Sequence, residues 1–332
     1  MKSYASYDNS MAYFNDREVS KKCQKYFSSF MVKLCSVAFF SSAILLSPKS
    51  FSEDEIIYPM DESSWIYKGG TFNCTLMHTE VPQGKFYFRS NKKDNVTLEY
   101  RFNSNQSGWI YAQAGLLTPP WIKPLQADTV SQGQINSQRG FSFSSDIERI
   151  LHSMKNGKWL TVSVGGSEAS SSLKLILPTI RIQSALDQFA ECRQRLPLIT
   201  YREARDMTLH YQAGQQNLTV VQRGQLKALM SYVRLDKRVT QVLIDGHTDS
   251  DGARLANLAV SRKRAEQVAE ALKNLGLDGA KVQVRAHGSR YPLASNHSEQ
   301  GRAKNRRVAI RLVRDNESVV NSAHTNNKIK VK

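Results

Sequence analysis

The sequence predicts an α+β protein in two parts: a mostly-β N-terminal region, then an α/β sandwich with helices on one face of a mixed sheet. Before residue 181, apolar and polar side chains alternate in several segments, which is the period-two signature of half-buried strands. After residue 199, strand patterns alternate with helix patterns. The length of 332 residues allows two domains that each bury a core.

The N-terminal region carries most of the strand patterns. Residues 96–102 alternate apolar and polar side chains, and the aromatic residues 86–88 precede them across a polar turn. Together these two segments predict a hairpin. The same alternation recurs at residues 160–164 and 173–177, so we expect two further strands there.

Two helices are predicted within or next to this region. The pair Ser145 and Glu148 has the spacing of a capping box, and Gly157 closes the apolar stripe that follows. A second helix is predicted over residues 182–198, ahead of the next strand pattern.

The C-terminal region alternates between the two periods. A helix capped by Thr219 and Gln222 carries apolar residues at i, i+3, i+4 and i+7. The predicted strands cover residues 207–211, 241–244, 282–286 and 308–312, and the further helices cover residues 265–275 and 300–306. The order is therefore β-α-β-α-β-α-β.

Composition narrows the kind of protein. A hydrophobic content of 40% and a charged content of 23% are typical of a globular chain. The formal charge is +17, and it remains about +13 without residues 1–52, which hold 7 Lys/Arg and 3 Asp/Glu. Such a charge predicts attraction to polyanions, whether nucleic acid, anionic lipid or acidic wall polymer, and does not choose among them.

The first 52 residues predict export. A basic flank precedes an apolar run at residues 34–46 that is too short to cross a bilayer comfortably. Small residues at the −3 and −1 positions predict signal cleavage after Ser52, with Met31 as a possible true start. An uncleaved membrane anchor is the alternative. Cys35 lacks the upstream small residue that a lipoprotein signal needs, so we do not expect lipidation.

The remaining cysteines predict a disulfide. Export would discard Cys23 and Cys35 and leave Cys74 and Cys192, and two cysteines in an oxidising compartment usually pair. A single pair does not suit a zinc site, which needs four clustered ligands. We therefore predict no metal and no cofactor.

A turn and two basic segments predict a binding site. The second C-terminal strand ends in Gly246-His247-Thr248-Asp249, and Arg264 lies on the next helix, where its guanidinium can lean over the sheet edge. The segment Asn305-Arg306-Arg307 enters the last strand. This arrangement suits a zwitterion, because Asp249 could pair with an ammonium while Arg264 grips a carboxylate with two parallel hydrogen bonds.

These motifs resemble the OmpA-like peptidoglycan-binding family over about residues 205–313. The matching positions are Gly246-His247-Thr248-Asp249-Ser250-x-Gly252, Asn257, Ser261-x-x-Arg264-Ala265, Gly288, Pro292, Ala294-x-Asn296 and Arg302-x-x-Asn305-Arg306-Arg307-Val308. The resemblance implies that the site holds the zwitterionic end of diaminopimelate in the peptide stem of the wall. Asp249 and Arg264 would be its central acid and base, and the rim would comprise Thr248, Asn257, Asn305, Arg306 and Arg307. One departure is Ala286-His287-Gly288, where many family members carry an aromatic residue between two glycines.

The N-terminal region resembles the MotY-like family of sodium-type flagellar motors. The residues that carry this resemblance are Phe72-Asn73-Cys74-Thr75-Leu76-Met77-His78, Pro82-x-Gly84, Phe88, Pro119-Pro120-Trp121 and Phe189-Ala190-Glu191-Cys192. The resemblance implies a periplasmic ring around the flagellar basal body, formed with a MotX-like protein, that helps to seat stator units.

The expected organisation has four parts. An export segment covers residues 1–52, a partner-binding or basal-body-binding domain 53–198, the wall-binding domain 199–314 and a basic disordered tail 315–332. The alternatives are a general envelope tether without a motility role and a wall-modifying enzyme with an attached wall-binding domain.

Other chemistries fit the sequence less well. We see no nucleophile or metal site in residues 53–181 and predict that the protein is not an enzyme. Asp245, Asp249 and Asp251 do not make an EF-hand loop, because its sixth and twelfth positions are Ser250 and Ala256. Export makes nucleic acid an unsuitable partner for the basic run before the last strand.

Overall fold

The computed structural model describes residues 54–79, 81, 84–104, 108–137, 140–166 and 172–317. The predicted export segment, and the predicted tail beyond residue 317, lie outside the described residues. Those described belong to one compact unit. No helix within these ranges is both long and apolar enough to cross a membrane.

The N-terminal region consists mainly of strands, as predicted. Its elements in chain order are β1 (Asp54–Ile57), β2 (Trp65–Gly69), β3 (Cys74–His78), β4 (Gly84–Lys92), β5 (Asn95–Phe102), β6 (Trp109–Leu117), β7 (Ala127–Gln132), β8 (Gln134–Ser137), β9 (Gly140–Phe143), α1 (Ile147–Lys155), β10 (Trp159–Gly166), β11 (Ser172–Leu177) and α2 (Gln183–Arg195). They form a five-stranded sheet of order β1-β11-β10-β6-β7 and a six-stranded sheet of order β2-β3-β4-β5-β9-β8. The predicted hairpin is confirmed, since β4 and β5 pair antiparallel with Phe88 opposite Leu98.

One apolar core joins the two N-terminal sheets. Leu98 and Tyr100 from the six-stranded sheet and Leu160 and Val162 from the five-stranded sheet are buried in the same cluster. Side chains two residues apart lie on the same face of a strand, so the alternation in the sequence places these residues inward.

The predicted capping box of α1 is wrong, although the helix itself is present. Asp146 occupies the cap position with a φ of 56° and makes no side-chain cap. The hydroxyl of Ser145 instead lies 2.9 Å from that of Ser131, which also donates to the Ser145 carbonyl. This contact with the neighbouring strand competes with the local cap.

The predicted disulfide is present between Cys74 on β3 and Cys192 on α2. Both cysteines are buried in the N-terminal core. The bond therefore fastens α2 to the six-stranded sheet.

The C-terminal region is a helix-covered sheet. Its elements are α3 (Tyr201–Arg205), β12 (Asp206–His210), α4 (Val220–Val233), β13 (Val239–His247), α5 (Arg254–Asn274), β14 (Val282–Gly288), α6 (Glu299–Asn305) and β15 (Arg307–Arg314). The sheet has the order β12-β15-β13-β14, in which β13 and β14 are parallel and β15 is antiparallel to both of its neighbours. The predicted mixed sheet is confirmed.

Two helices cover one face of this sheet. Val242 and Ile244 share a buried cluster with Leu226 of α4 and Val268 of α5. The capping box predicted for α4 is present, because Thr219 and Gln222 each accept a hydrogen bond from the other's backbone N–H. The short helix α3 was not predicted. It has its own capping box between Thr200 and Glu203 but is too short to show an apolar stripe.

The two regions contact each other directly. Phe72 stacks on Tyr232 with ring centroids 5.2 Å apart, and it packs against the C-terminal core. Lys92 on β4 forms a 2.7 Å ion pair with Glu203 on α3. These two contacts join the six-stranded sheet and its loops to α3 and α4 of the C-terminal region.

Candidate functional site

The candidate site lies where three strands of the C-terminal sheet meet at one edge. His247 at the end of β13 pairs with Gly288 at the end of β14 and with Arg307 at the start of β15. Because β13 and β14 are parallel and β15 is antiparallel, the polar residues that follow or precede them converge. We call this the edge site: Thr248, Asp249, Arg264, Arg306 and the loop of residues 289–296.

Gly246 allows α5 to approach the edge site closely. A Cβ at this position would lie 2.0 Å from the carbonyl oxygen of Ser261 on α5. Any other residue would therefore push the helix away from the strand. Ser261 also fixes the neighbouring strand, since its hydroxyl accepts a 3.0 Å hydrogen bond from the N–H of Gly288.

Asn257 supports the loop that carries Asp249. It was predicted on the rim, and the structure buries it on α5 with 8% exposure. Its amide nitrogen donates to the carbonyl oxygens of Asp249 at 3.4 Å and Asp251 at 2.9 Å. These bonds hold the turn after β13 in place.

Arg264 is more deeply set than the sequence suggested. We expected its head group to lean over the sheet edge, but the residue is 5% exposed. Its Nε and one terminal nitrogen both donate to the carbonyl oxygen of Gln215, at 3.2 and 2.9 Å. Its guanidinium carbon lies 4.7 Å from the centre of the Tyr211 ring. The backbone after β12 therefore fixes the orientation of the guanidinium.

One nitrogen of Arg264 remains available. Within the described residues, its NH1 group has no hydrogen-bond acceptor. Burial lowers the pKa of Arg264, and the attraction of nearby Asp249 raises it in part. The two opposite charges are close enough to interact without forming an ion pair of their own.

Asp249 is paired inside the protein. Its Oδ2 accepts a 2.8 Å hydrogen bond from Arg306, and the two side chains are 11% and 6% exposed. From the sequence, we assigned Asp249 to a ligand ammonium and named no internal partner for it. Its second oxygen, Oδ1, accepts no hydrogen bond from any described residue. Arg306 therefore offsets part of the charge of Asp249, while Oδ1 is left without a partner among the described residues.

Arg306 connects several parts of the edge site. Besides Asp249, it donates to Glu299 on α6 at 2.6 Å and to the carbonyl oxygen of Tyr211 at 3.3 Å. Burial acts to lower the pKa of Arg306, but the hydrogen bonds to the two carboxylates outweigh burial and raise it. Glu299 was not singled out from the sequence, although it stands seven residues before Arg306 at the start of a helix.

Asn305 and Arg307 hold the loop of residues 289–296. The fully buried Asn305 side chain accepts from the backbone N–H groups of Leu293 and Ala294 at 2.7 and 3.0 Å, and it donates to the Ala294 carbonyl at 2.8 Å. Arg307 donates to the Tyr291 carbonyl at 3.1 Å, and burial lowers its pKa. Both side chains were predicted to line the rim of the site. In the structure their hydrogen bonds fix the backbone of the loop that forms part of this site.

Thr248 contributes a polar group without a protein partner. Its Oγ is buried and has no hydrogen bond to any described residue, while its N–H donates to the Gly288 carbonyl at 2.9 Å. A buried hydroxyl in this condition carries a desolvation cost that a bound ligand could relieve.

His287 fills the position where the family pattern has an aromatic residue. Its ring stacks on that of His247 with centroids 4.8 Å apart, and it contacts the Tyr291 ring edge-on at 5.3 Å. Its Nε2 lies 2.8 Å from Asp245, which also accepts two 2.6 Å hydrogen bonds from Arg285. Burial is the main reason why the pKa of His247 falls to about 4. His287 therefore still places an aromatic ring at this position, although a histidine departs from the family pattern.

Comparison with known proteins matches two family models to the chain. The model described as the MotY N-terminal domain matches residues 57–197, and the model described as the OmpA family matches residues 210–306. The sodium-type flagellar protein MotY of Vibrio parahaemolyticus is 26% identical over 258 residues, which cover 76% of this chain and 88% of that protein.

Two further comparisons concern the C-terminal region. The peptidoglycan-associated lipoprotein of Pseudomonas aeruginosa is 37% identical over 71 residues, which are 21% of this chain and 42% of that protein. The crystal structure of the peptidoglycan-associated lipoprotein from Burkholderia pseudomallei aligns at 28% identity with a TM-score of 0.32, covering 36% of this chain and 94% of that one.

Proposed function

We propose, on the premise that the chain is a MotY-like protein with a MotY N-terminal domain followed by an OmpA-family domain, that it is a flagellar motor component held non-covalently by peptidoglycan. Its place would be the periplasm, around the flagellar basal body. In this proposal the edge site binds peptidoglycan, and the N-terminal region binds the flagellar motor.

The observation that supports wall binding is a pair of opposite charges with open positions. Among the described residues, Asp249 Oδ1 and Arg264 NH1 have no hydrogen-bond partner, and both lie at the same sheet edge. Each is fixed by a second contact inside the protein, Asp249 by Arg306 and Arg264 by Gln215. A site that is ordered before binding loses less entropy when the ligand arrives.

A zwitterionic end group fits this arrangement. The free end of diaminopimelate carries an ammonium and a carboxylate on one carbon. In our proposal the ammonium donates to Asp249 Oδ1, the carboxylate accepts from Arg264, and the Thr248 hydroxyl gains its missing partner. Charge-assisted hydrogen bonds of this kind are the stronger ones, and partial burial reduces their screening by salt.

The N-terminal region would supply the motor contacts. The relative named as sodium-type flagellar MotY matches across both regions, which supports a role in the motor for the whole chain. We propose a MotX-like protein, the basal body and the stator complex as partners. The Phe72–Tyr232 stack and the Lys92–Glu203 ion pair would let force on one region reach the other.

Two measurements test this proposal. A clean deletion, scored for swimming and for basal-body rings by electron microscopy, should lose both, while the envelope stays intact. Normal swimming with a leaky or detached outer membrane would instead favour the general envelope tether. Pelleting of the purified protein with insoluble peptidoglycan tests the wall contact by itself.

A further inference from the structure

Arg306 is shared between two acids, and only one of them faces the proposed ligand. One terminal nitrogen donates to Asp249 at 2.8 Å, and the other donates to Glu299 at 2.6 Å. The Nε group is bonded to the Tyr211 carbonyl. All three nitrogens of a side chain that is 6% exposed are therefore engaged.

Glu299 belongs to a wider network at the rim. Its side chain is 63% exposed and also accepts a 2.8 Å hydrogen bond from Arg302. Arg302 in turn lies 3.6 Å from Asp251 in the loop after β13. Hydrogen bonds from Arg306 and then Arg302 keep the pKa of Glu299 below its usual value, so it is ionised at neutral pH.

The charges of Asp249, Arg264 and Arg306 are balanced when Glu299 is counted with them. Asp249 and Glu299 carry two negative charges, and Arg264 and Arg306 carry two positive charges. Without Glu299 the group would have one net positive charge and Arg306 would neutralise Asp249 alone. That balance repels an ammonium and attracts a carboxylate.

We propose that Glu299 is a positioning residue that sets the ligand specificity of the edge site. By taking one side of Arg306, it leaves Asp249 with enough negative charge to bind an ammonium, so that the site selects a zwitterion over a simple carboxylate. This inference rests on the proposed function.

A purely structural role for Glu299 makes a different prediction. If the residue only fastens α6, its loss should weaken every ligand equally. If Glu299 limits how far Arg306 offsets the charge of Asp249, its loss should weaken only those ligands that carry the ammonium. The ratio between two ligands that differ in that one group separates these roles.

The test uses the full mature chain and two soluble muropeptides. Both have stems that end in diaminopimelate, and in one of them the free amine is acetylated. Titration calorimetry gives the preference for the free amine in wild type and in Glu299→Gln. We expect Glu299→Gln to reduce this preference roughly three- to tenfold, as expected for one unit charge at partly screened distance.

Two matched variants complete the design. Glu266→Gln removes one exposed negative charge from α5, where Glu266 has no ion pair with the described residues, and the preference should not change. Arg302→Gln removes the other partner of Glu299 but keeps the Glu299–Arg306 contact, so the preference should be kept or increased. An equal loss in Arg302→Gln and Glu299→Gln would overturn the inference in favour of a fastening role.

The outcomes distinguish this inference from the function on which it rests. If wild type shows no preference for the free amine, the ammonium contact of Asp249 is wrong and the role of Glu299 fails with it; if the protein also does not pellet with peptidoglycan, the proposed function fails as well. If wild type prefers the free amine and folded Glu299→Gln keeps that preference, only the role of Glu299 is wrong. Circular dichroism and a thermal melt of each variant establish that it is folded.

Discussion

Asp249 and Arg306 form a nearly buried ion pair at the mouth of the edge site, with 2.8 Å between Oδ2 and the guanidinium nitrogen. The acid that the ligand would need is thus already held by the protein. Arg306 fixes the position of Asp249 and offsets part of its negative charge.

Asp249→Asn should abolish most binding to peptidoglycan and also lower stability. The amide cannot pair with an ammonium, and Arg306 keeps only Glu299 as an anionic partner. When a nearly buried guanidinium loses one of its two anionic partners, the free energy of unfolding falls by roughly 1–3 kcal/mol. Pelleting with insoluble peptidoglycan and urea unfolding measure the two effects. Wild-type binding by a folded variant would contradict the assignment of Asp249.

Arg264→Lys should weaken binding at least tenfold although it preserves the charge. The flat guanidinium donates to the Gln215 carbonyl and still has NH1 for the ligand, whereas a lysine cannot serve both in the same geometry. The same pelleting measurement applies. The control is Arg262→Lys, because Arg262 lies on the exposed side of the same helix. Equal retention by the two variants would show that only charge matters at this position.

Asn305→Ala should act on stability first and on binding second. The fully buried amide makes hydrogen bonds to the backbone of Leu293 and Ala294, and their loss leaves buried groups unpaired. We expect roughly 2–4 kcal/mol less free energy of unfolding by urea titration. The control is Asn274→Ala, because Asn274 is exposed at the end of α5, and it should change little. A stable Asn305→Ala protein with lost binding would instead indicate direct ligand contact.

Acid should destabilise the fold through two buried histidines. Burial lowers the pKa of His78 and of His247 to about 4, from an ordinary value of 6.5. Between these values the unfolded chain takes up protons that the folded chain does not. The free energy of unfolding therefore falls as the pH drops from about 6.5 to 4, by up to roughly 3 kcal/mol for each histidine.

Urea unfolding at pH 7.5, 6 and 4.5 measures this dependence. His247→Phe should flatten the slope over this interval, because it removes one of the two groups. His210→Gln should leave the slope unchanged, since His210 is exposed. A slope that is the same in all three proteins would mean that carboxylates alone account for the acid sensitivity.

Cys74→Ser should lower stability more than any single surface change. The disulfide closes a loop of 118 residues and fastens α2 to β3. Without this cross-link the unfolded chain gains conformational entropy, which lowers the free energy of unfolding by roughly 3–5 kcal/mol. Thermal melts of the variant, and of wild type with and without reductant, measure it. Reactive free thiols at both cysteines of the exported protein would contradict the bond itself.

Local sequence patterns predicted much of the fold. The alternation around Leu98 and Tyr100 and the box of Thr219 and Gln222 each depend on neighbours within a few residues, so the sequence displays them directly. The box at Ser145 failed because the serine is drawn to Ser131, fourteen positions away, on another element. No local pattern contains that contact.

The same distinction holds at the site. The sequence by itself determined that Gly246 to Asp249, Arg264 and Asn305 to Arg307 belong to one constellation, because their spacing follows from the strand-helix order. Only the tertiary structure decided which partner each charge takes: Arg306 for Asp249, the Gln215 carbonyl for Arg264, and Glu299 as a second acceptor for Arg306. Hydrogen bonds and ion pairs act over about 3 Å. Which atoms come that close is fixed by how separate elements pack, and sequence spacing does not encode it.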